Sequence, residues 1–213
     1  QDLLKAKGES IVVAGSNDRS VQVLVNAINS LLGNYGATIT AERPANYRKG
    51  SDTAMAGFVA DLTAGKTKAV IFLNCNPVYD HPLGDKIAAA LKTASLSVST
   101  SSTPDETASA CEVMAPDHHF LESWNDAEPK KGSYSLSQPA ITPIFLTRSM
   151  PESILNWAGN TGVDYFSYVK SNWKNWFFAN SGAADFQMFW DQCLYNGVYE
   201  VPAAPVTLTF AGD

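Results

Sequence analysis

The sequence predicts an α/β fold, a Rossmann-like parallel sheet with helices on both faces, followed by a helical, aromatic-rich C-terminal extension. Short β-branched apolar runs alternate with segments in which apolar residues recur at three- and four-residue steps, as in strands connected by helices. After Lys68, residues 69–73 are apolar at successive positions, which is typical of a buried parallel strand. Aromatic side chains crowd residues 163–196. We therefore expect a Rossmann-like domain over residues 1–150 and a helical extension over residues 151–213 that packs on it as part of the same unit.

The first strand is predicted at residues 10–14, a short β-branched run. A helix follows, because apolar residues recur at helical spacing after a Gly-Ser-Asn-Asp turn. Asn17 or Asp18 is expected to cap this helix, since a short side-chain oxygen accepts an N–H group that is unpaired at a helix start. Gly33 and Gly36 are expected to end it.

The next predicted pair is a helix and the central strand. Ser51 or Asp52 is expected to cap the helix, which ends at Gly65. The strand at residues 68–73 follows, and residues 74–77 turn out of it.

The remaining α/β elements follow the same alternation. A helix is predicted over residues 83–91, a strand over 96–100 and a short helix that opens at Asp105. Residues 115–143 are polar and show little periodicity, so this stretch is expected to be loop.

The C-terminal part is predicted to be helical. Residues 149–158 form a helix with Ser149 as its cap and a proline in its first turn. Two further helices, separated near residues 180–182, carry the aromatic side chains of residues 163–196. Core packing is the simpler interpretation of these aromatics, and an exposed docking face is the alternative.

Composition limits the kinds of partner. The chain has 213 residues and a net charge of -6, and an acidic surface repels phosphate backbones, so no nucleic-acid partner is expected. No apolar run reaches the length of about 18 residues that spans a bilayer, so no direct membrane insertion is expected. The three cysteines, Cys75, Cys111 and Cys193, are far apart. They suggest three buried free thiols and no metal or iron–sulfur ligands.

Two loops are candidate ligand sites. Gly15, Ser16 and Asn17 lie between a predicted strand and a helix start, where backbone N–H groups favour anions. A plain turn is the alternative, because the chain has no dinucleotide or Walker motif. Asn74 and Asn76 follow the central strand, at the edge where open α/β sheets bind ligands.

The local sequence leaves two interpretations of that second loop. Pro77 restricts Asn76 to an extended conformation, which would aim the amide outward toward a base or pterin edge. The alternative is a turn in which asparagine side chains bond to their own backbone.

The remaining polar groups suggest no catalysis. His118 and Glu122 are spaced to share a metal, but the surrounding sequence matches no metalloenzyme motif. Glu122, Asp126 and Glu128 are interpreted as solvated charges or caps. No catalytic or metal-ligating residue is assigned, and no reaction is expected of the chain by itself.

Four segments resemble molybdopterin oxidoreductases of the dimethyl sulfoxide reductase superfamily, in family order. Residues 26–36 resemble the family's N-A-L-N-x-L-L-G-N-x-G helix, and residues 65–82 its G-K-V-K-A…N-P-x-Y…P stretch. Residues 105–122 resemble D-E-T-A…L-P…L-E, and residues 138–143 resemble Q-P-x-I-x-P. Within the superfamily, residues 121–136 are most similar to the fused molybdopterin-like and iron–sulfur subunit of alternative complex III.

This resemblance implies that the chain is an excised domain of a large respiratory subunit, a quinol:electron-acceptor oxidoreductase. The parent would lie on the periplasmic side and associate with the cytoplasmic membrane through other subunits. It would hold iron–sulfur clusters in another domain, and relatives of this subunit keep the fold without molybdopterin. The partners would be the remaining domains of the parent and the other subunits of the complex.

The family's dinucleotide cofactor is held partly by loops at the carboxyl ends of strands. By position, three loops correspond to it, and their residues are Gly15, Ser16, Asn17, Asn74, Asn76, Pro77, Ser101, Ser102, Asp105 and Glu106. Asn74, Asn125 and residues 131–133 depart from the residues that catalytic members carry. Three hypotheses therefore remain open: a structural domain without a cofactor of its own, a domain that holds molybdopterin guanine dinucleotide, and a free-standing nucleotide-binding module.

Overall fold

The computed structural model describes residues 2–47 and 49–212. Its contacts divide the chain into two compact units. The first comprises residues 1–48, 128–134 and 199–213, and the second comprises residues 49–127 and 135–198. The domain boundary expected at residue 150 stays a prediction. Among the described residues, no helix has the length and apolar character needed to cross a bilayer.

The first unit contains helices α1 (Asp2–Lys5) and α2 (Arg19–Leu31). Helix α2 confirms the predicted helix, and its cap is Asp18, whose carboxylate accepts from the N–H of Val21. The helix closes at Leu32, and Gly33 follows with φ +66°, a left-handed conformation that glycine adopts freely.

The strand predicted at residues 10–14 is wrong, because this segment pairs with no strand in the described structure. Instead, the side chain of Asn29 takes both backbone groups of Val12. The Val12 N–H donates to Asn29 Oδ1 at 2.9 Å, and Asn29 Nδ2 donates to the Val12 carbonyl at 2.8 Å. A buried amide from helix α2 thus replaces the neighbouring strand, while the side chains of Ile11 and Val13 remain exposed.

The second unit contains the predicted parallel sheet. Its strands are β1 (Ala69–Phe72), β2 (Leu96–Ser99) and β3 (Val113–Met114), in the order β1-β2-β3. Both strand pairs are parallel, with Val70 opposite Ser97 and Val98 opposite Val113. Strands β1 and β2 confirm the predicted strands. Strand β3 has two residues and was not predicted.

Helices flank this sheet, as predicted. The predicted ones are α3 (Asp52–Thr63), α5 (Gly84–Leu91) and α6 (Glu106–Ala110). The short helix α4 (Pro77–Asp80) was not predicted. Ser51 caps α3 by accepting from the N–H of Ala54. The main apolar core joins α3, β1 and α5, and its buried members are Val59, Leu62, Val70, Phe72, Ile87, Ala90 and Leu91.

The loop predicted over residues 115–143 is partly wrong, because it contains strands β4 (Asn125–Lys130) and β5 (Ser133–Ser137). Gly132, with φ +75°, occupies the turn between them. Polar side chains on both strands conceal the alternation that identifies a strand. Strand β6 (Val198–Glu200) completes a sheet of order β4-β5-β6. The strand-like run at residues 206–210 joins no sheet.

The predicted helical extension is present. It consists of α7 (Met150–Trp157), α8 (Tyr165–Trp176), a short 3₁₀ helix (Phe178–Asn180) and α9 (Phe186–Asn196). Trp173 and Trp190 are buried, and their rings meet edge to face with centroids 6.1 Å apart. Core packing therefore explains the centre of the aromatic stretch, although Trp176 and Tyr195 are exposed.

The predicted capping role of Ser149 is wrong. Ser149 does occupy the position before α7, but its side chain makes no capping hydrogen bond. The N–H of Met150 instead donates to Oδ1 of Asp117 at 2.6 Å. A carboxylate 33 residues earlier in the chain thus accepts from the first N–H of the helix, while the Ser149 hydroxyl accepts from none.

Candidate functional site

The three predicted site loops fall in different units. Residues 15–17 belong to the first unit, and residues 74–77 and 101–106 belong to the second. The latter two loops follow β1 and β2, which are adjacent parallel strands, so they meet at the carboxyl edge of the sheet.

Several polar groups of the loop at Gly15 bond to neighbouring residues. The N–H of Asp18 donates to Ser16 Oγ at 3.1 Å, and the Asp18 carboxylate accepts from the Val21 N–H at 3.1 Å. Nε2 of Gln22 donates to the carbonyls of Ala14 and Ser16. A carboxylate therefore already lies at the start of α2, where its negative charge opposes a phosphate. Asn17 is exposed.

Asn76 is held between two elements of the second unit. It lies just before α4, where Pro77 occupies the first helical position. Its Oδ1 accepts from both the N–H and the hydroxyl of Thr107, at 3.0 and 2.7 Å. Its Nδ2 donates to Glu106 Oε2 at 2.7 Å. Neither interpretation of this loop is right for Asn76, because its amide is directed at the start of α6 and not outward or to its own backbone.

Asn74 is bonded in a similar way at the end of β1. Its φ of 48° is left-handed, a conformation that asparagine tolerates better than most residues. Its N–H donates to Thr100 Oγ1 at 3.0 Å, and its Oδ1 lies 3.2 Å from the same hydroxyl. Its Nδ2 donates to Asp117 Oδ2 at 2.9 Å. Asn74 thereby joins the ends of β1 and β2 to the loop that caps α7.

The loop at residues 101–106 is organised by local capping. Oγ of Ser101 donates to the carbonyl of Thr103 at 2.8 Å. Asp105 caps α6, because its carboxylate accepts from the Ala108 N–H at 2.7 Å. Ser102 is exposed. Of the predicted residues, Asn76 and Glu106 are the pair brought into direct contact here.

The arrangement fits a base or phosphate poorly. An asparagine amide offers two acceptor sites and two N–H donors. On Asn76 both acceptor sites and one donor are bonded within the protein. The carboxylates of Asp105 and Glu106 would also repel phosphate oxygens. As folded, these residues are better suited to joining α4 to α6 than to holding a nucleotide.

A cavity that no sequence pattern predicted lies beside residues 75–77. Its volume is about 480 Å³, and its lining residues include Met55 and Phe58 of α3 and Cys75 after β1. Partial burial raises the pKa of the Cys75 thiol, which disfavours the reactive thiolate. Thr107 was also missed, because its partner Asn76 is 31 residues away and no local pattern marks the pair.

Glu122 and the neighbouring histidines are engaged in local hydrogen bonds. Oε2 of Glu122 accepts from the His119 N–H at 3.0 Å, and Oε1 accepts from the Ile144 N–H at 3.0 Å. The Ile144 bond is the main reason why the pKa of Glu122 is lowered. Within residues 2–47 and 49–212, no three His, Cys, Asp or Glu side chains are placed to share a metal ion.

Asp126 is neither a solvated charge nor a helix cap, the two roles that were expected, because it bonds to two aromatic side chains. Its Oδ1 accepts from the Tyr165 hydroxyl at 3.2 Å, and its Oδ2 accepts from Nε1 of Trp173 at 3.0 Å. Glu128 likewise holds a turn, since its Oε1 accepts from the Gly132 N–H at 2.7 Å. Asp126 therefore fixes two aromatic side chains against β4, and Glu128 fixes the turn that follows this strand.

Comparison with known proteins gives one informative match. The chain is 30% identical over 116 residues to the menaquinone reductase, molybdopterin-binding-like subunit of Nitratidesulfovibrio vulgaris. The match covers 53% of this chain and 17% of that relative's length. No protein-family model matches the chain. Over about half of its length, the chain is therefore similar to a short part of this molybdopterin-binding-like subunit.

Proposed function

We propose that this chain is a structural domain of a quinone-linked respiratory oxidoreductase subunit of the molybdopterin type, and that it holds no cofactor of its own. The observation that carries the proposal is the pairing of the Asn76 amide with Thr107 and Glu106. The loop that would hold a dinucleotide uses its polar groups to connect two helices. The similarity to a menaquinone reductase subunit supports the respiratory assignment.

The proposed role is assembly with the rest of a larger protein. Residues 144–146 form a continuous apolar run whose side chains are at least 71% exposed. On the sheet face opposite the buried Val70 and Phe72, Ile71 is 43% exposed. Contiguous exposed apolar surface of this kind marks an interaction site. Under the proposal, the remaining domains of the parent chain cover these surfaces.

The finer parts of the proposal concern the parent. It associates with the membrane through partner subunits, on the periplasmic side, and carries iron–sulfur clusters in another domain. Electrons then pass through those clusters and not through this domain, whose described residues form no metal-ligating group.

The metal content of the full-length parent, purified from native membranes, tests the proposal. We expect iron without molybdenum. Molybdenum at about one atom per chain would overturn the structural assignment. A parent carrying Asn76→Ala separates the two cases further, since the structural role predicts lower stability with unchanged metal content.

A second candidate function is that the domain helps to hold a molybdopterin dinucleotide. It is favoured by the position of Asn74, Asn76 and Glu106 at the carboxyl ends of adjacent parallel strands, where ligands bind in open α/β sheets. Under this alternative, Asn76→Ala removes molybdenum from the parent, and Asn17→Ala does the same from the other predicted loop.

A further inference from the structure

Two buried polar atoms lack hydrogen-bond partners in the described part of the chain, and both belong to residues that line one cavity. They are Oγ of Ser149 and Nε2 of His118. Ser149 is 3% exposed, so water from the bulk does not readily reach its hydroxyl. An unpaired buried polar group costs about 1–3 kcal/mol. The cavity, of about 260 Å³, is therefore expected to contain a polar partner for them.

The Ser149 hydroxyl takes no part in starting α7. Ser149 occupies the position before the helix, but its side chain makes no capping hydrogen bond, and the N–H of Met150 donates to Asp117. Asp117 also accepts from the N–H of His118 and from the amide of Asn74. The Ser149 hydroxyl is therefore left for a partner in the cavity.

Aromatic rings form part of the cavity wall. Trp124, Tyr165 and Phe166 line it, and the centroids of Trp124 and Phe166 are 4.7 Å apart. The faces of such rings attract cations, most strongly for tryptophan.

Carboxylates form the rest of the polar lining. Glu122, Glu152 and Asp164 all line the cavity, whereas none of its described lining residues is a lysine or arginine. Glu152 accepts from the Tyr165 N–H at 3.1 Å, and Asp164 accepts from the Ser167 N–H at 2.9 Å. These bonds hold the carboxylates in place and leave each with further acceptor capacity. The cavity lining is consequently negatively charged and rich in hydrogen-bond acceptors.

We propose that this cavity binds a small primary ammonium ion, such as a short aliphatic amine. An ammonium group has three N–H donors and no acceptor. It satisfies Ser149 Oγ and His118 Nε2 as acceptors, while its charge is offset by the carboxylates and its alkyl part packs on the rings. The volume is below the range of about 300–1,000 Å³ that suits drug-sized ligands, so the ligand is small.

Other occupants fit less well. An anion would meet the charges of Glu122, Glu152 and Asp164. A metal ion would need converging ligands, and the described side chains form no such group. One water molecule occupies about 30 Å³, far less than the cavity, so water fills it only as a cluster.

Titration of the 213-residue chain with propylammonium chloride tests the proposal, with sodium chloride at equal ionic strength as the reference. The readout is the indole ¹H–¹⁵N signal of Trp124, assigned with Trp124→Phe, and the affinity is checked by calorimetry. We expect saturable binding in the millimolar range, because few ligand atoms make contact. Tetramethylammonium, which has no N–H donor, is expected to bind about tenfold more weakly.

Matched variants identify the site. Ser149→Ala is expected to weaken propylammonium binding about tenfold. Ser153→Ala makes the same change one turn later in α7, at a buried residue that lines a different cavity, and should leave binding unchanged. Glu152→Gln keeps an acceptor for the Tyr165 N–H but removes the charge, so it should also weaken binding.

Two results would overturn the proposal. One is the absence of a saturable Trp124 shift with propylammonium, which would mean that water alone fills the cavity. The other is equal affinity in the wild-type chain and folded Ser149→Ala, with folding confirmed by the dispersion of the remaining amide signals.

Discussion

Thr107 donates both its backbone N–H and its hydroxyl to one atom, Oδ1 of Asn76, at 3.0 and 2.7 Å. Its Oγ1 also accepts from the N–H of Val78 at 3.0 Å. Thr107 is 0% exposed, so water replaces none of these bonds. One side chain therefore fixes the start of α4 against the start of α6, at the edge where open α/β sheets bind ligands.

The first prediction concerns this hydroxyl. Thr107→Val preserves the shape of the side chain but leaves the Val78 N–H without its acceptor and Asn76 Oδ1 with one donor fewer. We expect the free energy of unfolding to fall by about 2–3 kcal/mol, as measured by urea denaturation. Thr103→Val, at an exposed position nearby, is the control and should change it by less than about 0.5 kcal/mol. Equal stability of the two variants would contradict the structural role of Thr107.

The second prediction concerns the amide that replaces a strand in the first unit. Asn29 bonds to both backbone groups of Val12, to the Val25 carbonyl and to Nδ2 of the buried Asn34. Asn29→Ala leaves these groups unpaired, so we expect a loss of about 2–4 kcal/mol in urea denaturation. Asn26→Ala removes an exposed asparagine one turn earlier in α2 and should cost less than about 0.5 kcal/mol. A small effect at Asn29 would mean that residues 10–14 are held in another way.

The third prediction concerns stability at alkaline pH. Burial raises the pKa of the Tyr165 phenol above its ordinary value of 10.0, and the nearby Asp126 carboxylate raises it further. The folded state thus favours the protonated phenol, and the resulting stability is complete below pH 10 and lost as the pH rises above it. The melting temperature of the wild-type chain should fall between pH 9 and pH 11.

Tyr165→Phe removes that titration, so its melting temperature should fall less over the same pH range, although it starts lower because the bond to Asp126 is absent. Tyr195→Phe, at a side chain 88% exposed, is the control and should behave as the wild type. Parallel pH profiles for the wild type and Tyr165→Phe would show that another group governs the alkaline loss.

The fourth prediction concerns the free thiols. Burial raises the pKa of Cys193 to about 11, and the residue is 3% exposed. The expectation of a buried thiol is wrong for Cys75, which is exposed, although partial burial raises its pKa as well. Iodoacetamide at pH 8 should therefore alkylate Cys75 first, more slowly than free cysteine, and Cys193 only on unfolding. Mass spectrometry of timed digests measures the order, and early labelling of Cys193 in the folded chain would refute it.

Elements with local signals were predictable from the sequence. Helix α3 follows a serine cap, and α6 follows an aspartate cap, so each start was placed within a residue. Strands β1 and β2 were recognised because their apolar residues occur between turn residues. In each case the deciding interaction lies within a few positions of the element itself.

Features that depend on distant partners were not predictable. The run at residues 10–14 has the composition of a strand, but Asn29 takes the backbone groups of Val12. The turn at Asn76 was recognised, but its amide partner Thr107 lies in another helix. Strands β4 and β5 were missed because cross-strand pairing, and not a run of apolar residues, defines them.

The hydrogen bond from the Met150 N–H to Asp117 at the start of α7 has a consequence for the order in which the chain folds. During synthesis Asp117 is made 33 residues before Met150, so the acceptor for this helix already exists when the helix emerges from the ribosome. An isolated peptide of residues 147–159 would lack that acceptor and should show frayed ends, since short helices are marginal in water. The start of α7 therefore depends on a loop that is made before it.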